Sequence, residues 1–187
     1  VIKKNNKIYK LGTLMVKTLE TDRMILRPFE LADAPDMYLL GSMPQIIQYV
    51  GNTPFKQLAD AENYLKTHPL NDYRETGFGR LACIDKKSNQ LIGFCGLKYM
   101  DEIDEIEIGY RFLPAFWGKG LATEAVKTVL DWALEEKHCT RLVGCIHPDN
   151  QASKKVLSKF GFKKEKTVTV AFIPDVPVDL FVYEVSG

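Results

Sequence analysis

The chain has 187 residues, 45% apolar and 26% charged, the profile of an ordinary globular protein rather than a disordered, collagen-like or membrane-embedded one. Its 25 Lys and Arg stand against 24 Asp and Glu, a balance that argues against direct binding of nucleic acid but leaves room for a local anion site. A length of this order implies one domain burying roughly 70% of its unfolded surface, and no run of about 18 apolar residues marks a membrane span.

The opening residues are polar and basic (Lys3, Lys4, Lys7, Lys10). A short apolar stretch at 11–16 follows without a small-residue cleavage signal, so no secretory leader is expected. Residues 1–18 are expected to be an N-terminal extension and residues 19–187 a single domain. Residues 24–29 (MILRPF) predict a strand and 30–41 a helix, with Asp33 as its N-cap and Pro35 just inside. Gly51-Asn52 marks a turn. Residues 57–68 predict a second helix, which Pro69 ends.

The pattern then changes. Residues 78–84 and 91–97 predict a hairpin across the polar loop 85–90. Residues 104–111 (DEIEIGYR) alternate, with Ile106, Ile108 and Tyr110 on one face and Glu105, Glu107, Gly109 and Arg111 on the other. Residues 121–136 carry the strongest helical pattern, with Ala122, Ala125, Val126, Val129, Leu130 and Ala133 three and four residues apart. A strand at 141–146, a helix at 150–160 capped by Gly161, and strands at 162–173 and 179–185 complete the chain. Hairpins combined with a helical crossover predict a mixed α/β (α+β) domain.

Cys83, Cys95, Cys139 and Cys145 form no CxxC pair, and the three histidines are scattered. The expectation is free buried thiols of a reducing, cytoplasmic setting and no metal site.

The segment with chemistry in it is Trp117-Gly118-Lys119-Gly120-Leu121-Ala122-Thr123-Glu124, between an alternating strand and a long helix. Two glycines allow a tight turn with unobstructed amides, and the first helical turn leaves N–H groups unpaired under a dipole that favours negative charge. Such a turn can hold a phosphate. It is neither a Walker loop nor a dinucleotide fingerprint, and read alone it is equally a plain strand-to-helix turn.

Here the chain resembles the GCN5-related N-acetyltransferases (the GNAT superfamily), and within them the ribosomal-protein N-terminal acetyltransferase (RimJ/RimL-like) branch. The superfamily signature, Gln/Arg-x-x-Gly-x-Gly/Ala before a helix, is met by Gly120 and Ala122. Trp117 departs from the first anchor in the way common to that branch. The stretches 21–29, 107–110, 150–153 and 159–162 agree with it as well.

The resemblance implies a GNAT-like fold, a mostly antiparallel central sheet flanked by helices, with acetyl-CoA as co-substrate. Its pyrophosphate would lie on the turn 117–122, and its pantetheine arm between the strands at 106–111 and 142–146. The implied cofactor-binding residues are Phe112, Leu113, Trp117, Gly118, Lys119, Gly120, Leu121, Ala122, Thr123, Asn150 and Ser153. Glu107, a carboxylate in an otherwise apolar strand, is the candidate base; the competing reading has it facing solvent or paired with Arg111. Ser153 is the candidate partner of the CoA thiolate, because Leu157 stands where many members have tyrosine. A protein or peptide N-terminal amine is the leading acceptor. A small amine, amino acid or antibiotic, or a non-catalytic acyl-CoA sensor, stays open, as does a monomer or homodimer.

Overall fold

The computed structural model describes residues 16–51 and 53–185 in full and the backbone of 2–4 and 7–9. Parts of the expected extension and the Asn52 half of the Gly51-Asn52 turn lie outside the described residues. Strands β1 (Ile2–Lys4) and β2 (Lys7–Tyr9) pair with each other in a separate antiparallel ribbon.

An eight-stranded sheet carries the rest. It is built from β3 (Leu19–Glu20), β4 (Met24–Pro28), β5 (Arg80–Asp85), β6 (Leu91–Met100), β7 (Glu105–Phe112), β8 (Arg141–Ile146), β9 (Lys163–Val168) and β10 (Val178–Glu184), in the order β3-β4-β5-β6-β7-β8-β10-β9. Every neighbouring pair is antiparallel except β7 and β8, which are parallel and joined through the crossover helix α5 (Leu121–Glu135). This is the expected mixed α/β, GNAT-like architecture.

Side-chain alternation sorts the core onto two faces. On one, Leu81, Cys83, Ile92, Cys95, Leu97, Ile106 and Ile108 meet α5. That helix buries Leu121, Ala125, Val126, Val129, Leu130, Trp132 and Ala133, a stripe of helical period. Helix α6 (Gln151–Ser158) adds Leu157 to this face. On the other face, Ala82, Ile84, Leu91 and Phe94 meet α1 (Ala34–Ser42) and α3 (Leu58–Thr67), with the short α2 (Pro44–Ile47) and Ile46 at the rim. Each fully buried Leu or Val contributes about 1.5–3 kcal/mol relative to exposure.

Three local expectations change. Pro69 does end α3, but it also opens α4 (Pro69–Thr76), because a missing N–H costs nothing in a first helical turn. Asp33 stands at the start of α1 without capping it. Its carboxylate accepts the Glu30 N–H (2.8 Å) and a two-pronged pair from Arg27 (2.8 and 2.7 Å). The strand expected over 162–173 stops at Val168 and gives way to turns.

Candidate active site

The glycine turn is shaped by backbone sign. Gly118 (φ 71°) and Gly120 (φ 77°) are both left-handed, a region that costs a residue with a side chain about 1–2 kcal/mol. The first bond into α5 runs from Glu124 N–H to Gly120 O (3.0 Å), so the amides of Leu121, Ala122 and Thr123 precede it without an intrahelical acceptor. A Cβ on Gly118 would meet nothing within 4 Å, so the mouth of the turn is open.

Arg23 holds the turn in place. Its Nη1 donates to Lys119 O (2.8 Å), its Nε to Glu124 Oε2 (2.6 Å), and its own N–H to Glu124 Oε1 (2.9 Å). Trp117 is 48% exposed and donates its indole N–H to Phe112 O (2.7 Å). Lys119 lies over the Phe116 ring, its Nζ 5.2 Å from the centroid. Phe112 and Leu113 are buried in the two cores. The Leu113 N–H donates to Ile92 O and its carbonyl accepts the Phe116 N–H (both 2.9 Å).

Above the turn, β7 and β8 touch at a single register pair, Glu107 with Val143. Arg141 Nε donates to Glu105 Oε1 (2.8 Å) and closes one end of the seam; beyond Glu107 the strands part. Gly144 floors the gap, since a Cβ there would collide with Leu157 Cδ1. Tyr110 bridges it by donating its hydroxyl to Ser153 O (3.2 Å). Asn150 caps α6 by accepting the Ser153 N–H at Oδ1 (3.1 Å). A cavity of about 160 Å³ opens here and brings together Glu107, Tyr110, Asn150 and Ser153. The glycine turn lies outside its lining.

Glu107 is 7% exposed, at the point where the strands part. Its partner is Arg80 on β5, not Arg111: Arg80 Nη2 donates to Glu107 Oε2, and Arg80 Nη1 to Gly96 O (2.5 Å). Two registers build this contact, because Arg80 faces Gly96 and Gly96 faces Gly109 across β5, β6 and β7. Gly109 is small for a reason: a Cβ there would lie 2.7 Å from Arg80 Cζ.

The same sheet face carries groups that the spacing of the sequence does not single out. Tyr64 and His68 on and after α3, Asp72 on α4, and Lys98 on β6 line the cavity. Burial pushes the Asp72 carboxyl up, against the pull of Lys98 and Arg80. Burial, with Lys98 nearby, pushes His68 down. Burial also drives the Cys145 thiol well above its ordinary range, with Glu107 adding to the effect, so Cys145 has no activated thiolate. His147 lines the cavity against Tyr49, ring centroids 5.5 Å apart. Among the described residues, no group of three or more His, Cys, Asp or Glu is arranged to hold a metal.

An amide-lined helix start, a parted parallel strand pair and a buried carboxylate at the parting define a class, the acyl-CoA-dependent acyltransferases of mixed α/β fold. The amides of residues 121–123 suit a pyrophosphate, and the parted seam beside Gly144 suits an extended pantetheine arm. Residues 23–163 match the acetyltransferase (GNAT) domain family. An N-acetyltransferase of Bacillus licheniformis called p20 is 34% identical over 152 residues, covering 80% of this chain and 84% of that one. Among solved structures, an acetyltransferase from Agrobacterium tumefaciens superposes with a TM-score of 0.77 at 23% identity, over 98% of this chain and all of that one. The RimL acetyltransferase of ribosomal protein L7/L12, solved with coenzyme A, superposes at 0.73 with 16% identity, over 90% and 98% of the two chains. This chain belongs to the GNAT family of acetyltransferases, whose co-substrate is acetyl-CoA.

Proposed function

We propose that residues 19–187 form one catalytic domain that moves the acetyl group of acetyl-CoA directly onto a primary amine bound beneath α3 and α4. The observation that carries this reading is the buried Glu107 carboxylate where β7 and β8 part. Acetyl-CoA supplies the thioester. The amine nitrogen forms the new bond to the acetyl carbon as the carbon–sulfur bond breaks and the electron pair leaves on the CoA sulfur. Glu107 accepts the proton the nitrogen must lose, directly or through one water. Ser153 on α6 offers its hydroxyl to the departing sulfur. The amides of 121–123, between Gly120 and Glu124, cradle the pyrophosphate, with Trp117, Gly118 and Lys119 at the entrance.

For the acceptor, a protein N-terminal α-amine is the leading reading, supported by fold likeness to the L7/L12 acetyltransferase. A small amine is the second. It is favoured by a cavity of about 160 Å³, a size that in other proteins holds one benzene-sized molecule.

The test supplies acetyl-CoA with panels of peptides and small amines and follows free thiol. Glu107→Gln is expected to lower kcat by about 10²–10⁴-fold. Unchanged turnover across pH in that variant would rule Glu107 out as base. Acetyl-CoA binding without turnover on any acceptor would favour a sensor instead.

A further inference from the structure

Among the described residues that line the cavity, the cations Arg80, Lys98 and Arg111 outnumber the acids Asp72 and Glu107. Glu107 takes Arg80. Asp72 and Lys98 act on each other electrostatically. Arg111 forms no ion pair among the described residues, although it lines the same cavity. A guanidinium has five N–H donors. Arg111 uses Nη1 on Leu40 O (3.2 Å) and lays its face over Phe94, Cζ 5.3 Å from the ring centroid. Its Nε–H is buried without any acceptor. Burial depresses this guanidinium, and the charge of Arg80 nearby adds to it. An unmatched buried charge is costly, and an anion bound in the cavity would offset that cost.

Position says where the anion belongs. Glu107 and Arg111 share one face of β7, four residues or about 13 Å of strand apart. This face is turned to α1, α3 and α4, whereas the amides suited to phosphate lie at the start of α5, outside the cavity lining. Both residues line the one cavity, so an acceptor held there can meet Glu107 through its amine and Arg111 through a two-pronged guanidinium–carboxylate contact.

Taking amine acetylation at Glu107 as given, we propose that Arg111 determines specificity by pairing with a carboxylate on the acceptor. The acceptor is then an amine with a carboxylate a few bonds away, supplied by a free amino acid or by an acidic first residue of a peptide. Polyamines and other purely cationic amines are disfavoured beside the unmatched guanidinium.

The experiment compares matched acceptors that differ only in carboxylate against carboxamide: glutamate with glutamine, aspartate with asparagine, and glycine with glycinamide. A second arm uses C-terminally amidated peptides beginning with Glu or Gln and with Asp or Asn. The full chain is assayed with saturating acetyl-CoA. At least one acid is expected to exceed its amide by about tenfold or more in kcat/KM, mainly through KM. Arg111→Met should bring that ratio to near one, and Arg111→Lys, which keeps charge but not the fork, should retain part of it. If Arg111→Met does not fold, Arg111→Lys carries the comparison, and loss of preference must come without loss of acetyl-CoA binding. Preference confined to free amino acids or to peptides identifies the source. Acid-to-amide ratios near one in the wild type, with amines acetylated, overturn the proposal. So does a preference that survives Arg111→Met intact, which would leave Arg111 as a brace between β7 and α1. Failure to acetylate any amine of either kind defeats the acetyl-transfer reading itself, and this proposal with it.

Discussion

Gly109→Ala isolates the contact that holds the proposed base. The added methyl would lie 2.7 Å from Arg80 Cζ and 2.9 Å from Nη1. The nearest atom of all would be Arg80 Nη2, which holds Glu107, and because ordinary contact begins at 3.4 Å the guanidinium must retreat by about 1 Å. It has little freedom to do so, being bonded to Gly96 O and Glu107 Oε2. Gly109 itself does not have a positive φ, so the backbone accepts alanine without strain. Overpacking of this kind costs about 1–3 kcal/mol. For a protein of this size that is a fall in Tm of about 2–12 °C. The larger effect is expected in activity, because a misplacement near 1 Å at a reacting group costs about 10²-fold. Thermal melts and thiol-release kinetics on the same preparation separate the two. Wild-type kcat/KM and pH profile in Gly109→Ala would refute the claim that Arg80 sets the position of Glu107.

The remaining expectations concern the glycine turn and the pH dependence of stability. Gly120→Ala forces a side chain into a left-handed conformation at about 1–2 kcal/mol and shifts the amide cradle; KM for acetyl-CoA should rise several-fold while KM for the amine holds. Equal KM values for acetyl-CoA in variant and wild type would contradict that role. His68 has its pKa lowered in the folded state by burial, with Lys98 adding to the effect, from the ordinary imidazole value of 6.5. The unfolded chain therefore binds a proton there more readily, so stability is fully present above about pH 6.5 and is lost as pH falls toward the folded value. Melts from pH 8 to 5 should show a shallower decline in His68→Gln, and an unaltered slope would count against this assignment.

What could be read from the chain, and what could not, divides along physical lines. The turn at 117–124 was legible because glycine takes a left-handed backbone without steric cost, so the pair Gly118 and Gly120 marks a shape as well as a spacing. Glu107 was legible because strand alternation puts it opposite Ile106 and Ile108. Asn150 was legible as a cap because its carboxamide reaches the N–H three residues on. The partner of Glu107 was not. Arg80 reaches it through two strand registers, and register belongs to the assembled sheet rather than to any local stretch. The alternative partner, Arg111, shares its face but stands about 13 Å along the strand. Asp72 escaped notice because α4 did: Pro69 reads as the end of one helix, and only the fold shows that it also starts the next. Asp33 looked like a cap, but tertiary contact gave its carboxylate to Arg27.

The most direct test of the central claim is stoichiometry. The protein is incubated with acetyl-CoA and an amine panel, and free thiol and acetylated amine are measured in the same reaction by absorbance and mass spectrometry. One acetylated amine for each thiol released, with both rates falling together in Glu107→Gln, is the predicted result. Thiol release with no acetylated amine, or amine acetylation that is indifferent to Glu107→Gln, would contradict it.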